Sequence, residues 1–161
     1  MNAYPQIILG TISCENDDQQ AMIKVGYSML GQVISDPRFK AAFLAFQFVQ
    51  TNGMSNQELW DLFCSQSPIT MNCDLHDMGF KYDRIYHTVG LDDASDPDTC
   101  YMNSYIVDSP YMVADNLLHE TWHRLGLSHI NPTDSTSVPY GNNTLFEQIA
   151  ALMGFTDPDE E

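Results

Sequence analysis

Residues 119–129 read His-Glu-Thr-Trp-His-Arg-Leu-Gly-Leu-Ser-His, and this string constrains the fold more than any other part of the chain. Side chains four apart share one face of an α-helix, so His119 and His123 can turn a ring nitrogen toward a common point. For His129 to reach the same point, the helix has to stop abruptly behind it. Gly126 supplies the stop, because glycine enters the left-handed backbone of a helix end without a Cβ penalty. Ser109-Pro110 supplies the start, a hydroxyl cap followed by proline at the first helical position. Between these two signals Val113, Leu117, Leu118, Trp122 and Leu125 recur at helical spacing. The pattern predicts a helix over about 110–125 with one face buried.

Three neutral imidazoles that meet at one point, with a fourth position left open, are the donor set of a catalytic zinc ion. His119, His123 and His129 are therefore the candidate ligands of one Zn²⁺, and Glu120, beside the first of them, is the candidate general base. Five defined positions would match by chance in about one chain in 10⁵ at average residue usage, so the string is a specific signal. The competing reading is an amphipathic helix whose surface histidines never meet. It needs three of the five histidines in the chain to fall at ligand spacing by accident.

The string fits H-E-x-x-H-x-x-G-x-x-H, and over 119–129 the chain resembles the metzincin metallopeptidases. The resemblance implies an α+β, zincin-like fold: a mixed twisted sheet packed on helices, with the zinc helix under the cleft. It also implies a single catalytic domain over 1–161, with an upper part of about 1–126 and a small C-terminal subdomain of about 127–161. Leu125 and Leu127 fill the bulky positions that flank the family's glycine. Three positions depart from the pattern. Thr121 replaces a bulky apolar residue, and Ile130 matches none of the residues that mark the best-known subfamilies. In place of the methionine-bearing turn Ser-x-Met-x-Tyr stands Ser137-Val138-Pro139-Tyr140-Gly141; the only later methionine, Met153, reads as core. The chain thus looks like a small, divergent member, similar to bacterial or phage forms with a Val-Pro-Tyr segment. The resemblance makes Tyr140 a candidate catalytic residue that hydrogen-bonds the tetrahedral intermediate; a packed aromatic under the site is the alternative.

The function implied is a zinc-dependent endopeptidase acting on protein or peptide. An amidase of cell-wall peptides would keep the chemistry and change the substrate. A non-catalytic, zinc-containing binding module would keep only the metal, and the intact Glu120 argues against it.

Composition narrows the partners. Twenty-two acidic residues against 6 basic ones give a net charge of −16, which repels nucleic acid. No apolar run approaches the roughly 18 residues of a membrane span. At 161 residues the chain is long enough to bury a proper core as one domain, and a monomer is expected. Cys14, Cys64, Cys73 and Cys100 include no C-x-x-C pair. Their even number suggests an exported protein with up to two disulfides, Cys64–Cys73 among the possible pairings; reduced, buried thiols are the alternative. The first residues lack the features of a signal peptide, so a secreted or extracytoplasmic location would require a leader outside this sequence. The acidic loop with Asp92, Asp93, Asp96 and Asp98 is a candidate Ca²⁺ site, although it lacks the alternation of an EF-hand loop. Cys14, Asp17 or Asp18 could block the metal in a latent form. Asn142-Asn143-Thr144 spells a glycosylation sequon.

Elsewhere, patterning predicts a strand over 6–13 and helices over 18–34 and about 38–50. A capping box at Ser55–Glu58 opens a short third helix, strands follow at 80–89 and 101–107, and a last helix runs over about 144–153.

Overall fold

The computed structural model describes residues 4–85, 89–91, 93–130 and 134–157. Four strands form one sheet: β1 (Ile7–Cys14), β2 (Ile69–His76), β3 (Gly90–Leu91) and β4 (Thr99–Asn103), in the order β1-β2-β4-β3. The first three in that order run parallel, and β3 pairs antiparallel with β4 at the edge. Among the described residues five α-helices accompany the sheet: α1 (Asp17–Ile34), α2 (Pro37–Ala45), α3 (Asn56–Ser65), α4 (Pro110–Arg124) and α5 (Val138–Leu152). The architecture is mixed α+β, with a small mixed sheet and helices.

β2 is the strand that sequence patterning passes over. Ile69, Met71, Cys73 and Leu75 are buried and alternate with Thr70, Asn72, Asp74 and His76, the period of a strand with one covered face. Its polar residues resemble a loop until β1 and β4 flank it and take up its backbone groups. The strand expected at 80–89 is replaced, where the chain is described, by a π-helical turn at Lys81–Ile85, and the two residues of β3 follow only after that span. The expected strand at 101–107 starts earlier and stops at Asn103, whose side-chain oxygen accepts the Tyr105 N–H and folds the chain away.

α1 lies across β1 and α4, and its Tyr27 hydroxyl donates to the Met71 carbonyl on β2 at 2.7 Å. α2 ends at Ala45, short of position 50. The Asn56 side chain donates to the carbonyls of Phe43, Leu44 and Phe46, satisfying the open end of the helix. Phe46 and Phe48 then turn onto α5, where a Cβ at Gly141 would stand 2.7 Å from a ring carbon of each. The capping box of α3 forms as read, Ser55 and Glu58 each bonding the other's backbone.

α4 is held from behind by aromatic rings. Trp122 is fully buried, stacked on Phe43 at 5.7 Å between centroids and tilted against Phe63 at 4.9 Å. Burying such a side chain stabilises the fold by roughly 1.5–3 kcal/mol, so this contact fixes which face of α4 points away from the core. At its C-terminal end Arg124 binds the Thr70 carbonyl and the Asp98 carboxylate, tying the helix to β2 and the loop before β4. α5 packs against α4 and α2, and its buried residues belong to the same hydrophobic core as the sheet.

All four cysteines are free thiols, so the even count does not mark a disulfide framework. Cys73 and Cys100 are register partners on adjacent parallel strands, both buried. Burial pushes the Cys73 thiol up to about 12. Among the described residues no helix is long and apolar enough to cross a membrane.

Candidate metal centre

α4 begins at Ser109, whose hydroxyl accepts the Met112 N–H, and runs over Pro110–Arg124. It closes in a Schellman pattern: the Gly126 N–H bonds the His123 carbonyl and the Leu127 N–H bonds the Trp122 carbonyl. Gly126 has φ +93, the left-handed value that lets the chain reverse. The reversal brings His129 back beside the two helical histidines.

The three Nε2 atoms converge. His123 Nε2 lies 3.1 Å from both His119 Nε2 and His129 Nε2, and the remaining separation is 3.3 Å. Nitrogen donors bound to one tetrahedral ion at about 2.0–2.1 Å stand roughly 3.3 Å apart, so the donor set fits a single ion. Among the described residues this is the one group of three or more histidines, cysteines or carboxylates placed to hold a metal ion. Burial pushes the His119 imidazole down to about 4, with the neighbouring histidines adding to the fall and hydrogen bonds to Asn143 and to the Pro139 carbonyl opposing it. The ring is neutral at pH 7, the form that ligates. His123 Nδ1 lies 3.0 Å from the Leu127 carbonyl. A carbonyl only accepts, so Nδ1 carries the proton and Nε2 presents its lone pair to the centre.

Glu120 is buried on α4 next to His119. Its negative charge, after the larger effect of burial, raises both the Tyr140 phenol and the Cys100 thiol. Tyr140 packs its ring against His119 and His129, each at 4.5 Å between centroids. It is carried on the first turn of α5, not on a turn of the kind the family resemblance implies. Ser137 caps that helix and Pro139 sits in its first turn, so Ser137-Val-Pro-Tyr is a helix start that places Tyr140 by helical geometry. The last helix therefore begins six residues before the expected position 144.

Two neighbouring segments supply contacts that spacing alone does not reveal. Asn143, on α5, places Oδ1 2.7 Å from His119 Nδ1, while its Nδ2 donates to the Asp115 carbonyl and carboxylate. Asp115 keeps part of its surface in solvent, yet burial of its carboxyl, together with Glu147, holds it well above the usual carboxylate range. Residues 49–52 brace the loop that carries His129. The Asn52 side chain donates to the Gly126 carbonyl at 3.0 Å, and the Ile130 N–H donates to Gln50 Oε1 at 3.2 Å.

Among the described residues, neither the remaining candidates nor His76, a histidine outside the string, joins the cluster. Asp93 accepts from Ser95, Asp96 accepts from the Tyr101 hydroxyl, and Asp98 pairs with Arg124, so the three carboxylates of the acidic loop are drawn to separate partners. Asp92 and His87 lie outside the described residues. His76 Nε2 is 2.9 Å from the Ser13 hydroxyl. Cys14 donates to the Asn16 carbonyl, and Asp17 and Asp18 form the first turn of α1. The sequon asparagine, Asn142, is fully buried and donates to the Val138 carbonyl, so it is not an accessible glycosylation site in the folded chain. Thr121 is also buried and donates to the Leu117 carbonyl, which satisfies the hydroxyl at this apolar position.

Comparison of the chain with protein-family models, with curated proteins and with solved structures returned no match.

Proposed function

We propose that this chain is a zinc-dependent endopeptidase of metzincin-like type, acting on protein or peptide. The observation that carries the reading is the convergence of three Nε2 atoms within 3.3 Å of one another, beside a buried glutamate on the same helix. His119, His123 and His129 would hold the ion, and His119 is already neutral. Bound there, zinc would polarise a peptide carbonyl and lower the pKa of water to roughly 7. Glu120 takes the proton of the attacking water and delivers it to the departing amine. The Tyr140 phenol, kept protonated by burial and by Glu120, donates to the oxyanion that forms on the substrate carbonyl. A small mixed sheet with helices is compatible with the α+β class in general.

Elemental analysis should find one zinc per chain. Glu120→Gln should keep the metal and lose at least about 10²–10⁴ in hydrolysis rate, because an amide accepts no proton. Assays on casein-like protein and on cell-wall material separate an endopeptidase from an amidase. Near wild-type turnover in Glu120→Gln would remove the assigned chemistry.

A further inference from the structure

We propose that Asn143 is a positioning residue that locks His119 in the tautomer able to ligate, an inference that rests on the metal-centre reading above. The argument starts from the Asp115 backbone carbonyl, which accepts and never donates. Asn143 Nδ2 stands 3.0 Å from that oxygen and 2.7 Å from the Asp115 carboxylate. Turning the amide over would set its own oxygen against the backbone carbonyl, so the amide has one allowed orientation. Oδ1 therefore faces His119 Nδ1 at 2.7 Å, and an amide oxygen also only accepts. His119 Nδ1 must then carry the proton, which leaves the Nε2 lone pair aimed at His123 Nε2 and His129 Nε2.

The anchor is local to α4: Asp115 lies one helical turn before His119, so its carbonyl and the ring move as one rigid element. The reader of that anchor comes from α5, which also carries Tyr140. Docking of α5 on α4, which brings the Asn143 amide and also the Pro139 carbonyl to the His119 ring, thus sets the tautomer of the first ligand as well as placing the phenol. Because the backbone carbonyl suffices to orient the amide, the Asp115 carboxylate is secondary. Partners that fix a ligand's tautomer typically change metal affinity by about 10–100-fold when removed.

The test uses the full chain in two states. In metal-free protein at pH 8, nitrogen-15 NMR of the histidine side chains should find His119 in the Nδ1–H tautomer. Asn143→Leu should populate the Nε2–H form. In chelator competition, Asn143→Leu should bind Zn²⁺ about 10–100-fold more weakly, and Asp115→Asn should bind it as wild type does. Far-UV circular dichroism and the urea midpoint report whether each variant folds. The wild-type tautomer needs no variant: finding His119 as Nε2–H in the wild-type protein overturns the proposal. Unchanged tautomer and affinity in a folded Asn143→Leu also overturn it. If wild-type protein takes up no zinc, the functional reading fails, and the metal-free NMR still decides the role of Asn143.

Discussion

The two helical ligands and the third ligand are held by different physics. His119 and His123 leave one rigid helix, seated by Trp122 against Phe43 and Phe63, and their spacing is a property of α-helical geometry alone. His129 leaves a loop, and its place depends on a reversal at Gly126 and on residues 49–52, distant in sequence. That brace is itself strained. Gln50 and Asn52 have φ 55 and φ 54; asparagine tolerates this region, but for glutamine it is uncommon. The Val49 N–H to Thr136 carbonyl bond and the Gln50 and Asn52 side-chain bonds offset the cost. The comparison teaches that two thirds of the centre is pre-built by local structure, and the last third is assembled by tertiary contact.

Removal of one ligand from each side breaks the comparison most strongly. His123→Ala should abolish stoichiometric zinc in equilibrium dialysis, while His129→Ala keeps the helical pair and a weaker residual affinity. Full zinc retention in His123→Ala would place the metal elsewhere.

Tyr140 touches a ligand of each kind, so its substitution reports on both. Tyr140→Phe keeps the ring and removes the hydroxyl. It should lower kcat more than it raises KM, at a cost of roughly 1–3 kcal/mol in transition-state stabilisation. A pure KM effect would leave the ring as packing only.

Gly126→Ala addresses the loop side alone. No heavy atom lies within 4 Å of the added Cβ, so the cost is purely that of the left-handed backbone at φ +93, about 1–2 kcal/mol. The urea midpoint and the zinc affinity should fall together; an unchanged affinity would show that His129 is placed without the reversal.

Asn52→Ala should have the smallest effect, about 0.5–1.5 kcal/mol for one hydrogen bond to the Gly126 carbonyl. Its signature is a faster release of zinc with a correspondingly small fall in the urea midpoint. Unchanged release would remove Asn52 from the brace.

How much of this was legible in the chain follows the same division. The start of α4 at Ser109-Pro110, its end at Gly126 and the capping box at Ser55–Glu58 are signals written within a few residues, and each stands where it was read. The Val-Pro-Tyr segment carried a local signal too. A serine cap with proline in the first turn is a helix start, but the family pattern suggested a turn there. β2 was missed because Asn72, Asp74 and His76 break its apolar run, and only pairing with β1 and β4 makes it a strand. Asn143 has no signal in its own neighbourhood, since its partners sit on another helix.

By itself, the sequence determined the helix, its termination and the face that His119 and His123 share, because helical spacing and capping act between residues a turn apart. Tertiary structure alone decided that residues 49–52 brace the loop carrying His129, that Tyr140 lies on two rings of the cluster and that Asn143 reads the Asp115 carbonyl. Those contacts join segments far apart in the chain, and their energy exists only once a common core has brought the segments together.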